Sequence, residues 1–428
     1  MKLGFRRLNP QRLAALVLLS AGSAVAQTPA PEPAAAPAAP AVPEATPVAP
    51  PPEAPASVVN EPALAPPAPL APVVAPPEPV AEVKAPEEEA PPLNISIWGR
   101  VETTLSTLDS QPVVQPTGDA LDDIYSFGDF QIHTSGKVYK AVSFTANFVA
   151  TYNPDVQGTA GLLDAIIQIE PSDYFNIWLG RMLVPVDRSN FSGYWFAAPW
   201  HYPGFGFADG QVTAPRQGPF GRNDGVTVWG QVDGGFLKYY AGVYDLYNIE
   251  TTGSPLFSGR LALALFDKEP GYYHSSTYYG KDILTLAVGA QYKKDGSTPA
   301  AGVMAEPDNY SEFNADILFE KNLGDAGVLD LEGAVYVFNG DNEPTDAGWF
   351  GVASYLLPND IGWGKLQPLV RVQQAIPSAE GADTSTLIDA QLGYVVNSYA
   401  TRFALGYRTG SAGDLDVQAI YVGAQFLK

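Results

Sequence analysis

The sequence predicts an all-β fold: a transmembrane antiparallel β-barrel of about sixteen strands behind a Pro- and Ala-rich N-terminal segment. Three observations predict it. Apolar and polar residues alternate with a period of two along most of the chain after residue 92. The alternating segments are roughly ten residues long, which is the length that a tilted strand needs to cross a bilayer. Beyond the N-terminal leader no stretch approaches 18 consecutive apolar residues, so a membrane position requires strands rather than helices.

The composition excludes several other classes. The chain has 428 residues, a formal net charge of −22, a mean hydropathy of −0.03 and no cysteine. This hydropathy is too polar for a bundle of membrane helices, but it suits strands that are apolar on one side only. A polyanion repels phosphate backbones, so we expect no nucleic-acid partner. Without cysteine there is no disulfide framework and no thiolate metal site.

Residues 1–26 have the pattern of a secretory signal peptide. Lys2 and three arginines precede the apolar run 13–19, and Ala24-Val25-Ala26 forms a small-x-small cleavage site. Residues 27–92 contain 22 of the chain's 40 prolines and no aromatic residue. Such a segment cannot form a core, so we expect it to be disordered and to extend into the periplasm, as a spacer or as a tether toward the cell wall.

Residues 93–428 contain the alternating strands. From Val142 to Tyr152, for example, every second residue is apolar, and Ser143, Thr145 and Asn147 lie between them. The predicted strands are 94–106, 124–136, 141–152, 161–170, 174–183, 222–232, 236–246, 258–267, 282–293, 310–321, 328–338, 347–357, 365–375, 385–396, 399–409 and 414–426. A soluble β-sandwich or propeller is the alternative, but no repeat of roughly 40–50 residues is present.

An even number of strands puts both ends of the barrel on the periplasmic side. Short turns such as Pro171-Ser172-Asp173 then fall on that side, and the longer loops fall on the outside. The connection 268–281 departs from this rule, because it is long and yet falls on the periplasmic side. It is the least regular part of the predicted topology.

The longest connection, 184–221, follows the fifth strand. It is rich in aromatic residues, among them Phe191, Tyr194, Trp195, Phe196, Trp200, Tyr202, Phe205 and Phe207. Disordered loops lack such residues, so this loop must be buried, and the available space is the barrel lumen. A loop folded inward would convert the wide channel of a sixteen-stranded barrel into a size filter.

The run from Trp178 to Pro185 places Gly180 and Arg181 before the proline that opens this loop. It resembles the strand-five motif of the phosphate-selective porin O and P family of outer-membrane porins. The resemblance covers residues 94–426 in architecture and only this run in motif. It implies trimers and passive diffusion of small solutes, with anion specificity from basic clusters in the loop and on one wall. Here the loop has two arginines, Arg188 and Arg216, opposed by two aspartates.

Period two also assigns charges to the lumen. The inward basic candidates are Arg100, Arg181, Lys238, Arg260, Arg371, Arg402 and Arg408. The inward acidic candidates are Glu102, Asp129, Asp164, Glu312, Asp316, Asp330, Glu332, Asp389 and Asp416. The charges are either separated across a constriction, where they create a transverse field, or paired along the wall, where they stiffen the barrel.

Ten residues are the candidates for lining the pore: Arg100, Arg181, Asp187, Arg188, Trp195, Trp200, Asp209, Arg216, Arg371 and Arg402. Arg181 is the sharpest of them, since it immediately precedes the inward loop. If Trp178, Gly180 and Met182 face outward, Arg181 faces the lumen and either selects ions or pins the loop by pairing with Asp187 or another acid of the wall. The loop tryptophans either stack on passing sugars or simply pack the loop.

Together these patterns favour an outer-membrane porin of a Gram-negative bacterium that allows passive diffusion of ions and small hydrophilic solutes. The alternative is a structural envelope protein tethered to the cell wall by its Pro-rich segment. The expected partners are outer-membrane lipid, two further copies in a homotrimer, and peptidoglycan or a periplasmic protein at residues 28–92. The three histidines lie in no catalytic motif, so we expect no enzyme activity, no cofactor and no metal site.

Overall fold

The computed structural model describes residues 93–107, 123–153, 156–201, 221–246, 254–299, 303–412 and 415–428. Within them sixteen strands follow one another: β1 Asn94–Ser106, β2 Asp123–Tyr139, β3 Val142–Asn153, β4 Val156–Ser172, β5 Phe175–Leu183, β6 Arg222–Val232, β7 Leu237–Tyr244, β8 Leu256–Ala264, β9 Ile283–Ser297, β10 Asp308–Asn322, β11 Val328–Asn339, β12 Thr345–Leu356, β13 Lys365–Pro377, β14 Ser385–Asn397, β15 Thr401–Ala412 and β16 Leu415–Leu427. One short helix, α1, spans Arg188–Ser192.

The strands form a closed antiparallel barrel in which each strand pairs with its neighbours in sequence. The seam is the pairing of β1 with β16, where Trp98 lies opposite Leu427. The predicted number of strands and their order are confirmed. We call the end of the barrel where β1 begins and β16 ends the proximal end, and the other end the distal end. Among the described residues no helix is long and apolar enough to cross a membrane.

The polarity of the barrel wall is reversed relative to a soluble protein. On β1, Arg100 is 3% exposed whereas its neighbour Val101 is 45% exposed, and on β16 Val422 is 57% exposed. The same alternation recurs around the barrel, with apolar side chains outside and charged side chains inside. The outward apolar residues include Ile97, Phe130, Phe313, Val335 and Leu405. An outer wall of this kind is stable against lipid and would be an aggregation surface in water.

Two connections fold into the barrel from opposite ends. The inward loop, 184–221, enters from the distal end between β5 and β6, and the structure describes its residues 184–201 and Gly221. The proximal insert, 265–282, enters between β8 and β9. The sequence prediction that 268–281 is a long connection on the same side as both barrel ends is confirmed, and the reason for its length is that it turns into the lumen.

The end of β5 has an irregular backbone at Gly180. This residue has φ +118°, and a Cβ atom there would lie 2.0 Å from the carbonyl oxygen of Ala165 on β4. Only glycine fits this close approach between neighbouring strands. The position sets the direction of the chain just before the inward loop.

Candidate functional site

The inward loop is held beneath the seam by three polar side chains in one row. Arg100 of β1, Gln425 of β16 and Arg402 of β15 are neighbours across the two strand pairs. Arg100 and Arg402 both donate to the carbonyl oxygen of Tyr194, at 3.0 and 2.9 Å, and Gln425 donates to that of Trp195 at 3.0 Å. Charged donors make stronger hydrogen bonds than neutral ones, so this row fixes the path of the loop.

Trp200 lies near the end of the described part of the loop. Its side chain is fully buried, and the guanidinium carbon of Arg100 lies 3.7 Å from the ring centroid. Its indole nitrogen donates to Glu102 at 2.8 Å, and His201 Nε2 lies 2.9 Å from the same carboxylate. Trp195 is also buried, 5.4 Å from the Trp98 ring. Both tryptophans therefore pack the loop against the wall, which is the simpler of the two interpretations of the aromatic cluster.

Asp187 begins helix α1 and ties it to the far wall. Its carboxylate accepts a hydrogen bond from the backbone of Asn190 at 2.7 Å and one from the hydroxyl of Tyr336 on β11 at 2.6 Å. The first bond is an N-cap, which satisfies an amide that the helix leaves without a partner. Burial raises the pKa of Asp187 to about 6, even though both hydrogen bonds oppose the shift.

Arg188 joins the inward loop to the proximal insert. Its guanidinium makes a two-pronged ion pair with Glu269 of the insert, with both N–O distances 2.8 Å, and donates to the carbonyl oxygen of Ser275 at 2.6 Å. Both ion-pair side chains are completely buried. On the wall beside them, Arg260 of β8 pairs with Asp316 of β10 in the same two-pronged way. Buried charges are tolerated only in such fully paired geometry.

Aromatic packing supports the same contact. Tyr272 of the insert stacks on Trp178 of β5 with ring centroids 4.0 Å apart, and Phe191 of α1 lies 5.2 Å from the Tyr272 ring. The Tyr272 hydroxyl donates to the carbonyl oxygen of Leu183 at 3.3 Å. These residues belong to one buried cluster inside the barrel. The two connections thus share an apolar core as well as an ion pair.

Carboxylates of β10 and β11 hold the rest of the insert. Glu320 accepts hydrogen bonds from the Thr277 hydroxyl at 2.7 Å and from the backbone amides of Gly280 and Lys281 at 2.7 and 2.8 Å. Glu332 accepts from the hydroxyl of Ser276. Donors on the wall hold the insert as well, since Lys238 and Tyr240 of β7 donate to the carbonyl oxygens of Gly271 and Tyr272, at 3.0 and 2.7 Å.

His274 lies within this contact and is buried. Its Nδ1 is 3.4 Å from Glu269 Oε2. The other charges that act on it come from Lys238 of β7, from Arg188 and from Asp316. Burial and the Lys238 charge lower the pKa of His274 well below its ordinary value. Burial works against ionisation of Glu269 too, but the Arg188 and His274 charges hold its pKa well below the usual range.

Arg181 is not where the sequence prediction put it. Trp178 and Met182 are buried inside the barrel, so Arg181 points outward, and the predicted register of β5 is off by one residue. Its guanidinium pairs with Asp224, the residue opposite it on β6, at 2.8 and 2.9 Å. The expected pairing with Asp187 is also wrong.

The remaining candidates divide into three groups. Arg100, Arg371 and Arg402 lie on the inward face, as do the other described charges predicted there, and Arg371 pairs with Asp389 at 3.2 Å. Arg188 and Asp187 lie inside the barrel in the contacts given above. Asp209 and Arg216 lie outside the described residues, as does the side chain of Asp416. That any of these side chains lines a solute path stays a prediction.

Sequence reasoning missed the insert as part of the site. Glu269, Tyr272 and His274 were treated only as residues of a long connection, although their types carried a signal. A carboxylate, a histidine and several tyrosines between two strands suggest burial for the same reason that the aromatic residues of the inward loop do. The aromatic content therefore predicts burial for the insert as it does for the inward loop.

The fold defines a class, the closed sixteen-stranded antiparallel β-barrel. OprB of Pseudomonas putida matches with a TM-score of 0.53 and 10% identity, over 79% of this chain and 94% of that chain. OmpT of Vibrio cholerae, an outer membrane protein in an in-vitro folded, trimeric form, matches with a TM-score of 0.50 and 12% identity, over 79% of this chain and all of that one. At these identities the likeness is one of fold. No family model and no curated protein matches the chain.

Proposed function

We propose that this protein is an outer-membrane porin through which ions and small hydrophilic solutes diffuse passively. The observation that carries the proposal is the reversed polarity of the wall: charged side chains such as Arg402 face inward, and residues such as Val422 face outward. A closed barrel of sixteen strands encloses enough space for an aqueous path between its wall and the folded-in segments. The similarity in fold to OprB and OmpT supports the same conclusion.

The charge pattern supports a path with a transverse field. Arg100 of β1 and Arg402 of β15 face the lumen on one side, and Glu312 of β10, which has no cation partner among its hydrogen bonds to Tyr310 and Asn314, faces it on the other. A passing ion would meet opposite charges on opposite walls, where water is scarce and charges act strongly. Phosphate preference, which the resemblance to the porin O and P family implies, would have to come from the wall arginines together with Arg216, because Arg188 is paired with Glu269 and Arg181 points outward.

The location and the partners belong to the same proposal. The apolar outer wall suits outer-membrane lipid, and the trimeric form of OmpT is consistent with a homotrimer. Residues 1–26 are proposed to direct export, and residues 27–92 to extend from the proximal end into the periplasm, in reach of peptidoglycan or a periplasmic protein. We propose no catalytic role.

Recordings in planar lipid bilayers test the function. We expect stepwise conductance from the purified protein, and a reversal potential in a salt gradient that reports its ion preference. Insertion is checked independently, by flotation with liposomes and by the heat-dependent change in gel mobility of folded barrels. The proposal is contradicted if the parent protein and a variant without residues 268–281 both insert and stay folded, yet neither conducts at any voltage.

A further inference from the structure

The proximal insert is more than a turn. The backbone pairing of β8 and β9 continues past the strand ends, since Leu265 donates to Leu284 at 2.7 Å and Asp267 donates to Asp282 at 2.8 Å. The hairpin could close directly after Asp267. Instead the chain adds residues 268–281 and buries Glu269, Tyr272 and His274 inside the barrel. The barrel wall is complete without these fourteen residues, so they serve something other than strand pairing.

The insert and the inward loop meet inside the lumen. The Arg188–Glu269 ion pair joins them at one point. At another, the Ser276 amide donates to the carbonyl oxygen of Phe196 at 3.0 Å, and the Ala198 amide donates to the Ser276 hydroxyl, also at 3.0 Å. One segment from each end of the barrel thus closes on the other.

We propose that the proximal insert is a gate: its contact with the inward loop holds the channel closed, and ions pass freely when residues 268–281 withdraw. The inference rests on the proposed function, because a gate presupposes a path. It goes further by assigning the closure to a segment at the proximal end, in addition to the loop that enters from the distal end.

The chemistry of the contact suits a segment that can leave. Several of the insert's bonds to the wall are hydrogen bonds between its own backbone or hydroxyl groups and Glu320 and Glu332, and water can replace each of them. Its ion pair with Arg188 adds little net free energy to seating, because desolvation of the two charges offsets much of their attraction. The paired residues Asp267 and Asp282 provide fixed ends about which the segment can turn.

The first test removes the gate. Residues 268–281 are replaced by Asn-Gly, which forms the two-residue turn that suits a hairpin closing after Asp267. We expect the variant to stay open, with an open probability close to one, because the segment that closes the channel is gone. The heat-dependent gel mobility verifies that the variant is folded.

The second test cross-links the insert to the inward loop without deleting any residue. The chain has no cysteine, so the double variant Ala198→Cys/Ser276→Cys carries only the pair of interest. We expect oxidation to abolish openings and a reducing agent to restore them. The control is Thr103→Cys/Ser126→Cys, which joins β1 to β2 on the outer wall at residues that face each other. Its oxidation should leave the conductance unchanged.

The outcomes separate the two proposals. If the parent protein conducts, and neither the deletion nor the oxidised pair changes its conductance, the gate is overturned and the porin function stands. If neither the parent nor the folded deletion variant conducts, the porin function fails. A silent or rarely open parent together with a conducting deletion variant supports both.

Discussion

The inward loop and the proximal insert solve the same problem with different residues of the wall. Each is a stretch of irregular backbone inside a barrel, where its amide and carbonyl groups need partners. The loop exposes carbonyls to the wall, and Arg100 and Arg402 donate to them. The insert relies on both kinds of partner, because Glu320 accepts from its amides while Lys238 donates to its carbonyls. Charges that look in the sequence like an ion filter therefore also work as anchors for the protein's own backbone.

The largest effect should come from the loop anchors. Arg402→Gln leaves the carbonyl oxygen of Ala197 without a charged donor and removes one of the two that bond to Tyr194, which should lower the free energy of unfolding by about 2–3 kcal/mol. Unfolding in urea measures this, and single-channel noise reports the loosened loop. Arg402→Lys sharpens the comparison, because it keeps the charge but loses the fork that reaches both carbonyls. If the lysine variant is as stable and quiet as the parent, Arg402 acts through its charge and not as an anchor.

The insert anchor should matter less for stability and more for opening. Glu320→Gln weakens the hydrogen bonds from Thr277, Gly280 and Lys281, and we expect seating to lose about 1–2 kcal/mol. The open probability should then rise about tenfold, with no change in the loop. The matched control is Glu380→Gln, an exposed carboxylate in a distal connection. Equal effects from the two substitutions would mean that the change follows net charge alone.

Acid pH should release the insert but not the loop. Because burial lowers the pKa of His274, the seated state binds fewer protons than the released state below the ordinary value of 6.5, so falling pH favours release. Glu269, whose pKa is also lowered, adds the same tendency below 4.5. Asp187 works in the opposite direction between 3.8 and 6, since its raised pKa favours the folded loop as the pH falls.

Open probability recorded from pH 7.5 to 4 checks this expectation. It should rise as the pH falls below 6.5 in the parent protein, whereas His274→Gln should remove the rise above 4.5 and keep the part due to Glu269. A pH response that survives unchanged in the glutamine variant would assign the titration to another group.

The smallest effect is expected at Arg181. Its pair with Asp224 is on the outer wall, and the two side chains are 42% and 34% exposed. Arg181→Ala should leave the conductance and the reversal potential unchanged and should cost less than about 1 kcal/mol of stability. A shifted reversal potential would contradict the outward orientation and restore the original register.

Much of the fold was predictable because it rests on local periodicity. The strands β1 and β6 begin and end at the predicted residues, and the number and order of strands agree throughout. The exception, at β5, has a local cause. The strand pairs with β6 in an unbroken register, with Trp178 and Met182 inside and Leu179 outside. Because apolar residues lie on both of its faces, a pattern of period two does not decide which face is inward.

The site was harder to predict because it consists of contacts between distant segments. The loop's aromatic content predicted that it folds inward, but nothing local showed that Arg188 would find Glu269, 81 residues further along the chain. The row of Arg100, Gln425 and Arg402 depends on the closure of the barrel, which brings the two ends of the chain together. Charge type and face are encoded locally, and partners are set by the whole topology.

The position of Trp200 beneath the seam dictates an order of assembly. A Cβ atom on Gly423 of β16 would lie 2.1 Å from the Trp200 ring, so the loop sits directly against the last strand to be made. Arg100 on the first strand contacts the same loop from the other side of the seam. The loop can reach its final position only when the first and last strands meet. Pairing of β1 with β16 and docking of the loop therefore occur together, late in folding. A chain that stops folding before that step has an unpaired strand edge and an undocked loop, and both are accessible to proteases.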